Sequence, residues 1–207
     1  MASFCYDMQM QTEIEAKFIN VNVDLIRKKL KDAGAKLIEP ERLMKRHVFD
    51  YPDHRLEAIG GWVRVRDEGS KITMSYKQLN DRTLHGTKEV TLVIDDYEQA
   101  KQFLDSIGLI IDSYQETKRE SWKLGDVDVE IDTWPWIPSF VELEAPDEAS
   151  IKAAAKTLGF DWKDAMHGSV ETAYQDVYDV TEEEIDNWEL ITFTPVPDWL
   201  EPKRKTE

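Results

Sequence analysis

Charge alternation along successive strand-like segments constrains this chain more than any other feature. In residues 12–18 (TEIEAKF), Glu13, Glu15 and Lys17 share one face of a two-residue period, and Ile14, Ala16 and Phe18 share the other. The pattern returns downstream. Arg64 and Arg66 oppose Val63 and Val65, and Glu89 and Thr91 oppose Val90, Leu92 and Ile94. Asp128, Glu130 and Asp132 oppose Val127, Val129 and Ile131, and Glu142 and Glu144 oppose Val141 and Leu143. Lys77 joins the charged set through Thr73 and Ser75, and Arg119 through Thr117 and Ser121. A single strand of this kind is the ordinary solvated face of an antiparallel sheet. The set asks for more. Like charges two residues apart stand about 7 Å apart and repel by roughly 0.6 kcal/mol in water, and by more in a low-dielectric cavity. That repetition makes sense if the charged faces turn inward and meet counter-charges, leaving the apolar faces to pack outside. The expected shape is a closed barrel with a wet, charged lumen.

The segments between the strands support an α+β domain. Residues 23–34 carry Val23, Ile26, Leu30 and Ala33 at helical spacing before Gly34, and 97–107 and 147–158 read as further helices. A shorter helical stretch is expected near 169–178. Extended segments are expected at 35–50, 61–67, 71–79, 87–94, 114–123, 127–132 and 139–145, mostly with hairpin-length links. Residues 1–11 read as a short, weakly structured leader. From Thr181 the composition changes: Thr181 and Glu184 make a capping-box pattern, and a proline-punctuated stretch with Trp188, Phe193 and Trp199 follows. The division expected is a domain over 12–178 and an extension over 179–207 that packs on the barrel. A homodimer, with the tail lying on a second subunit, is the other arrangement the tail admits.

A formal net charge of −16 argues against non-specific binding to nucleic acid or an anionic membrane. A polyanion can then bind only through a local cationic cluster or through metal ions. The single cysteine, Cys5, excludes an internal disulfide and any cysteine-rich zinc site, and with no secretory signal it points to a reducing cytoplasm. The cations Lys17, Arg64, Arg66, Lys77 and Arg119 suit phosphate oxygens, because guanidinium forks make bidentate, charge-assisted bonds. The carboxylates suit hard divalent cations. A metal–triphosphate complex needs both.

Glu13-Ile14-Glu15-Ala16-Lys17 has the form ExExK, and an ordered series follows it: Phe49-Asp50 with Pro52, Arg64 and Arg66, Lys77, Lys88-Glu89, Lys118-Arg119, Asp132, and Phe140-Val141-Glu142-Leu143-Glu144. With these elements the chain resembles the CYTH, or triphosphate tunnel metalloenzyme, superfamily over roughly residues 12–178. The resemblance implies an eight-stranded antiparallel tunnel, with helices outside and triphosphate and metal within. Carried over, Glu13, Glu15, Glu142 and Glu144 are metal ligands, for Mg2+ or Mn2+. Lys17, Arg64, Arg66, Lys77 and Arg119 hold the substrate, and Glu89, Glu130 and Asp132 are tunnel acids of unassigned role. One departure stands out: a lysine common two residues before the arginine matched by Arg119 is Thr117 here, and Lys118 is expected to point outward.

The activity implied is metal-dependent hydrolysis of a triphosphate, inorganic, nucleoside or thiamine-linked. Glu13, Glu15 and Lys17 would form the catalytic group, with Lys17 positioning or deprotonating the water. A class IV adenylyl cyclase is the alternative, but the His-Phe pair such enzymes show before ExExK is absent: the leader has Phe4 and no histidine. A non-catalytic nucleotide or polyphosphate binder is a third reading. His47, His54, His85 and His167 have no metal-ligand spacing and read as surface or structural residues, and His167-Gly168-Ser169 as a plain loop. Lys45-Arg46-His47 reads as a solvated strand end, with contact to substrate at the tunnel edge as the alternative, and Trp134 and Trp136 read as anchors of a loop on the core, with stacking on a base or thiazole ring as theirs. Gly60-Gly61 lacks the spacing of a phosphate-binding loop.

Overall fold

A computed structural model describes residues 10–206. The expected leader, with Cys5, lies almost wholly outside the described residues. Helices α1 (Val23–Asp32), α2 (Tyr97–Ser106) and α3 (Glu148–Thr157) each begin at an acceptor side chain. Asn22, Asp96 and Asp147 take the N–H of Leu25, Gln99 and Ser150. The chain leaves α1 and α2 through Gly34 and Gly108, both with positive φ (74° and 94°), the conformation glycine adopts without strain. Two short helices, α4 (Glu171–Val177) and α5 (Glu182–Asp186), follow, and α5 carries the capping box of Thr181 and Glu184.

The strands are β1 (Gln11–Thr12), β2 (Glu15–Phe18), β3 (Lys36–Asp50), β4 (Gly61–Asp67), β5 (Ile72–Leu79), β6 (Thr87–Ile94), β7 (Ile110–Leu124), β8 (Val127–Thr133), β9 (Phe140–Glu144) and β10 (Leu190–Ile191). Nine of them form one antiparallel path, β1-β6-β5-β4-β3-β7-β8-β9-β2. The count is nine and not the expected closed eight, because the first strand is split at Glu13 and Ile14. Its first half pairs with β6 and its second with β9. The two ends of the path are therefore neighbours in the chain, so the sheet curls round on itself. The backbone spans the seam, the N–H of Glu13 donating to the Thr87 carbonyl (3.0 Å) and the N–H of Ala145 to the Ile14 carbonyl (3.1 Å). β7 starts at Ile110, earlier than its sequence pattern indicates, because it pairs with β3 as far as Asp50. β8 covers Lys118–Leu124 of β7, and β10 pairs in parallel with Tyr114 and Gln115 further along the same strand.

The apolar faces pack outward. Ile26 and Leu30 of α1 and Ile151 of α3 meet Ala16, Phe18, Val129, Val141 and Leu143. Each fully buried aliphatic or phenyl side chain contributes about 1.5–3 kcal/mol. Ala100 and Leu104 of α2 close over Phe49 and Val65. Tyr178, Val180, Ile185, Trp188, Ile191 and Leu200 pack round Trp134, Phe140 and Tyr174, the Trp188 ring standing edge-on to Tyr174 at 5.2 Å. The outer face of β6 carries no helix, and Val90 and Leu92 are exposed there. No helix among the described residues is long and apolar enough to cross a membrane.

Candidate active site in the charged interior

Strand register converts the sequence pattern into contacts. Residues paired across an antiparallel ladder point to the same side. Lys17 is opposite Glu142, Lys77 opposite Glu89, and Arg119 opposite Asp132. Each pair makes an ion pair: Lys17 Nζ to Glu142 at 3.2 Å, Lys77 Nζ to Glu89 at 3.1 Å, and Arg119 Nη2 to Asp132 at 2.5 Å. Lys77 also donates to both oxygens of Glu13, at 2.8 and 2.9 Å, across the seam. The inward faces enclose a cavity of about 450 Å³, lined by every residue expected above to hold metal or substrate and by the tunnel acids Glu89 and Asp132, but not by Glu130. Glu130 stands behind Arg119 at 3.9 Å, its Oε2 buried without a hydrogen-bond partner.

One stretch of the wall is rich in cations. Arg46 of β3 is opposite Arg66 of β4, and Arg64 lies two residues along from Arg66. Arg66 is held by Glu68 at 2.6 Å, but among the described residues Arg46 and Arg64 have no carboxylate partner, and the Nε of each is buried and unbonded. Burial, then Arg66, brings Arg64 down to about 9. Burial, then Arg64, Arg66 and Arg119, holds Arg46 well below the usual guanidinium range. These groups lack an anion. Arg46 corrects the expectation of a solvated strand end: it is buried (7% exposed), stacks at 4.7 Å on Trp134, and donates to Thr117 Oγ1 at 2.6 Å. Its place on the same strand face as Met44 and Val48, between the outward Lys45 and His47, is the sequence signal that could have found it. Thr117 thus occupies the inward place where the family pattern often has lysine, while Lys118 turns outward over the Phe193 ring, as its parity requires.

Acids dominate the seam side. Glu15 is opposite Glu144, and Glu130 opposite Glu142, pairings that are unfavourable unless a cation intervenes. Arg119 does so for the second pair, 3.1 Å from Glu142 and 3.9 Å from Glu130, and Lys17 offsets one acid of each pair, its ammonium lying 3.2 Å from both Glu15 and Glu142 and donating to the Gly168 carbonyl at 2.6 Å. Burial works against that charge, but Glu15 and Glu142 outweigh it and raise Lys17 above the ordinary lysine value. Burial likewise opposes ionisation of Glu142, and Lys17 and Arg119 overcome it. Glu144 has no cation beside it. Much of its side chain is open to solvent, yet desolvation of the carboxyl, then Glu13 and Glu142, push it up to about 7. Glu13 is also raised, by burial against the pull of Lys77. An all-oxygen donor set of Glu13, Glu15, Glu142 and Glu144, with one carboxylate destabilised by the others, fits a hard divalent cation.

Sequence reasoning missed a second acidic group at one mouth. Asp50, His54 and Glu57 bring ligating atoms within 4.8 Å of one another, although His54 shows no metal-ligand spacing in sequence. The Asp50 oxygens accept N–H groups of Tyr51, Leu56 and Glu57, which tie the loop to the end of β3. The loop at His167-Gly168-Ser169 comes to the cavity as well, through Gly168 and Ser169. Trp134 is buried and Trp136 Nε1 donates to the Thr194 carbonyl at 3.0 Å, so both anchor the loop as expected.

A curled antiparallel sheet around a cavity lined by arginines and clustered glutamates is an α+β tunnel-like fold. The CYTH domain model matches residues 11–170, and the chain belongs to that family. Among solved structures, the chain is similar to the PH1012 protein of Pyrococcus horikoshii at 24% identity and a TM-score of 0.62, over 74% of this chain and 93% of that one. It is similar to a candidate adenylate cyclase of Vibrio parahaemolyticus at 17% identity and a TM-score of 0.69, over 81% and 99%. It is also similar to the candidate adenylyl cyclase HpAC1 of Hippeastrum, described as having a dominant triphosphatase activity, at 14% identity and a TM-score of 0.54, over 81% and 96%. No curated protein matches the chain.

Proposed function

We propose that the chain is a divalent-metal-dependent triphosphatase that works inside this cavity. The observation that carries the reading is that Arg46 and Arg64, each with a buried, unbonded Nε and no carboxylate partner among the described residues, share one cavity with the Glu13, Glu15, Glu142 and Glu144 carboxylates. A buried cation without a counter-charge is costly, and a chain of phosphates supplies what these two lack. Arg46, Arg64, Arg66 and Arg119 would hold the phosphate oxygens and stabilise charge on the transferring phosphoryl group. Lys77 stands between the arginines and the acids and serves both. The four glutamates would hold Mg2+ or Mn2+, whose chemistry when bound is neutralisation of phosphate charge and polarisation of a phosphoryl oxygen or water. Lys17, ringed by acceptors and held as an ammonium, acts as a donor that orients the carboxylates and the substrate. Proton removal from water then falls to a carboxylate and not to Lys17. The triphosphatase activity described for HpAC1 agrees with the reading.

The test is turnover of tripolyphosphate, nucleoside triphosphates and thiamine triphosphate with Mg2+ or Mn2+, following orthophosphate, pyrophosphate and cyclic AMP together. Orthophosphate release that disappears in Arg64→Ala supports the proposal. Cyclic AMP with pyrophosphate as the main products would replace hydrolase with cyclase, and tight binding without turnover would make the chain a binder.

A further inference from the structure

The triphosphate reading leaves one end of the cavity unexplained. Helices α4 and α5 build that end, and they lie beyond the residues the family model matches. Glu171 opens α4 and Glu182 and Asp186 belong to α5, while Glu57 and Asp112 stand across the same mouth. The positive or titratable partners here are Arg82, 2.6 Å from Glu182, and His54, 3.1 Å from Glu57 and 3.9 Å from Asp112. The Glu171 carboxylate is buried on the cavity wall, and its Oε2 accepts no hydrogen bond. Burial, then Asp186, pushes Glu171 up to about 7, and burial, then Glu182, pushes Asp186 up to about 6. Apolar and aromatic groups line the same cavity: Val170 and Ile185, next in sequence to Glu171 and Asp186, with Ile191 and Trp62. The arginine end of the cavity is short of anions, and this end is short of donors.

We propose that this mouth is a head-group subsite, built by the C-terminal segment, for the N–H-bearing or cationic organic part of a triphosphate ester. The proposal rests on the triphosphate reading of the arginine end. Arg46, Arg64, Glu171 and Asp186 line one cavity, so a group attached to phosphates on the two arginines that occupies the α4–α5 end meets Glu171 and Asp186. An inorganic chain that reached the mouth would set phosphate oxygens against carboxylates. Apolar walls with a few placed acceptors are the usual make-up of an organic-ligand pocket. A buried acceptor left unpaired discriminates strongly against a ligand without the matching donor. The chain therefore selects organic triphosphates over inorganic tripolyphosphate.

The experiment is steady-state kinetics of the full chain with Mg2+ or Mn2+, for the wild type, Glu171→Gln, Glu171→Leu and Asp186→Asn. Substrates are tripolyphosphate, ATP (neutral exocyclic amine), ITP (a carbonyl in that place) and thiamine triphosphate (fixed cation). The expected wild-type kcat/KM is about tenfold or more higher for the preferred headed substrate than for tripolyphosphate; Glu171→Leu narrows that ratio by about tenfold whichever head is preferred, and Glu171→Gln and Asp186→Asn do so where the preferred head is cationic. Glu171→Gln keeps an acceptor and loses the charge, so it penalises a cationic head and spares a neutral amine, whereas Glu171→Leu penalises both. Melting temperatures no lower than wild type for Glu171→Gln show that the effect is not unfolding. Tripolyphosphate handled as well as every headed substrate, or ratios unmoved by all three variants, overturns the head-group subsite alone. A wild type that neither turns over nor is thermally stabilised by any triphosphate overturns the arginine-end reading, and this one with it.

Discussion

Replacing Arg64 with methionine should make the ligand-free protein more stable while removing its response to triphosphate. Arg64 is half-buried with a fully buried Nε and no carboxylate partner among the described residues, and desolvation and Arg66 together bring it from the ordinary guanidinium value of 12.5 to about 9. Each tenfold change in proton affinity is worth about 1.4 kcal/mol, so this gap corresponds to about 5 kcal/mol of charging cost in the folded state, an upper bound on what substitution recovers. Swaps of buried charges for apolar groups of similar size recover about 1–4 kcal/mol, or about 3–10 °C in Tm for a chain of this size. The sign follows from linkage. The folded-state value lies below the unfolded one, so the cost is present at neutral pH and relieved as pH rises through about 9, and the stability gap between variant and wild type narrows above that pH. The assay is thermal unfolding with and without Mg2+-tripolyphosphate. A ligand at 100 times its Kd stabilises the wild type by about 2.7 kcal/mol, roughly 5–10 °C, and Arg64→Met loses most of that shift. A lower Tm for ligand-free Arg64→Met, or an unchanged ligand shift, would refute the reasoning.

Thr117→Lys places a fourth cation beside Arg46 in a site with no solvent exposure. It should lower the ligand-free stability by roughly 2 kcal/mol or more and tighten triphosphate binding, as read by calorimetry. Glu13→Ala should abolish metal-dependent turnover while far-ultraviolet circular dichroism stays unchanged, because Lys77 keeps Glu89 at 3.1 Å. Glu171 is raised to about 7 when folded, so wild-type stability falls as pH rises from about 4.5 toward 7. Glu171→Gln should remove that slope and be more stable at pH 8 by up to about 3 kcal/mol, with no advantage at pH 4. Glu68 is brought down to about 2: Arg66 outweighs the effect of burial, so its contribution is lost as pH falls from about 4.5 through 2, and Glu68→Gln should flatten that part of the acid-unfolding curve.

The inward face of the sheet was legible because a two-residue period carries its own geometry. Once Glu15, Lys17, Lys77, Arg119 and Glu142 alternate with apolar neighbours, ladder pairing leaves them one common side. Arg46 escaped because it sits between Lys45 and His47, both of which face outward, so a run of three basic residues hid a strand parity. The split of the first strand was invisible for a different reason: its two halves take partners from opposite ends of the sheet, and no local pattern records which strands a segment will meet. Glu130 shows the converse. Its parity is right, but Arg119 reaches past it to Asp132 and Glu142, leaving it behind the lining. The acidic mouth depended on contacts between residues 50–57, 112 and 171–186, which tertiary packing alone brings together. Helices α1, α2 and α3 were placed to within two residues, because Asn22, Asp96 and Asp147 cap them and glycines end them.

The central claim is that the interior holds a triphosphate on arginines and a divalent ion on glutamates. Anomalous diffraction from crystals grown with Mn2+ and a non-hydrolysable triphosphate tests it most directly. The account predicts a manganese peak among Glu13, Glu15, Glu142 and Glu144, with phosphate density against Arg46 and Arg64. Manganese held only at Asp50, His54 and Glu57, or phosphate bound outside the curled sheet, would contradict it.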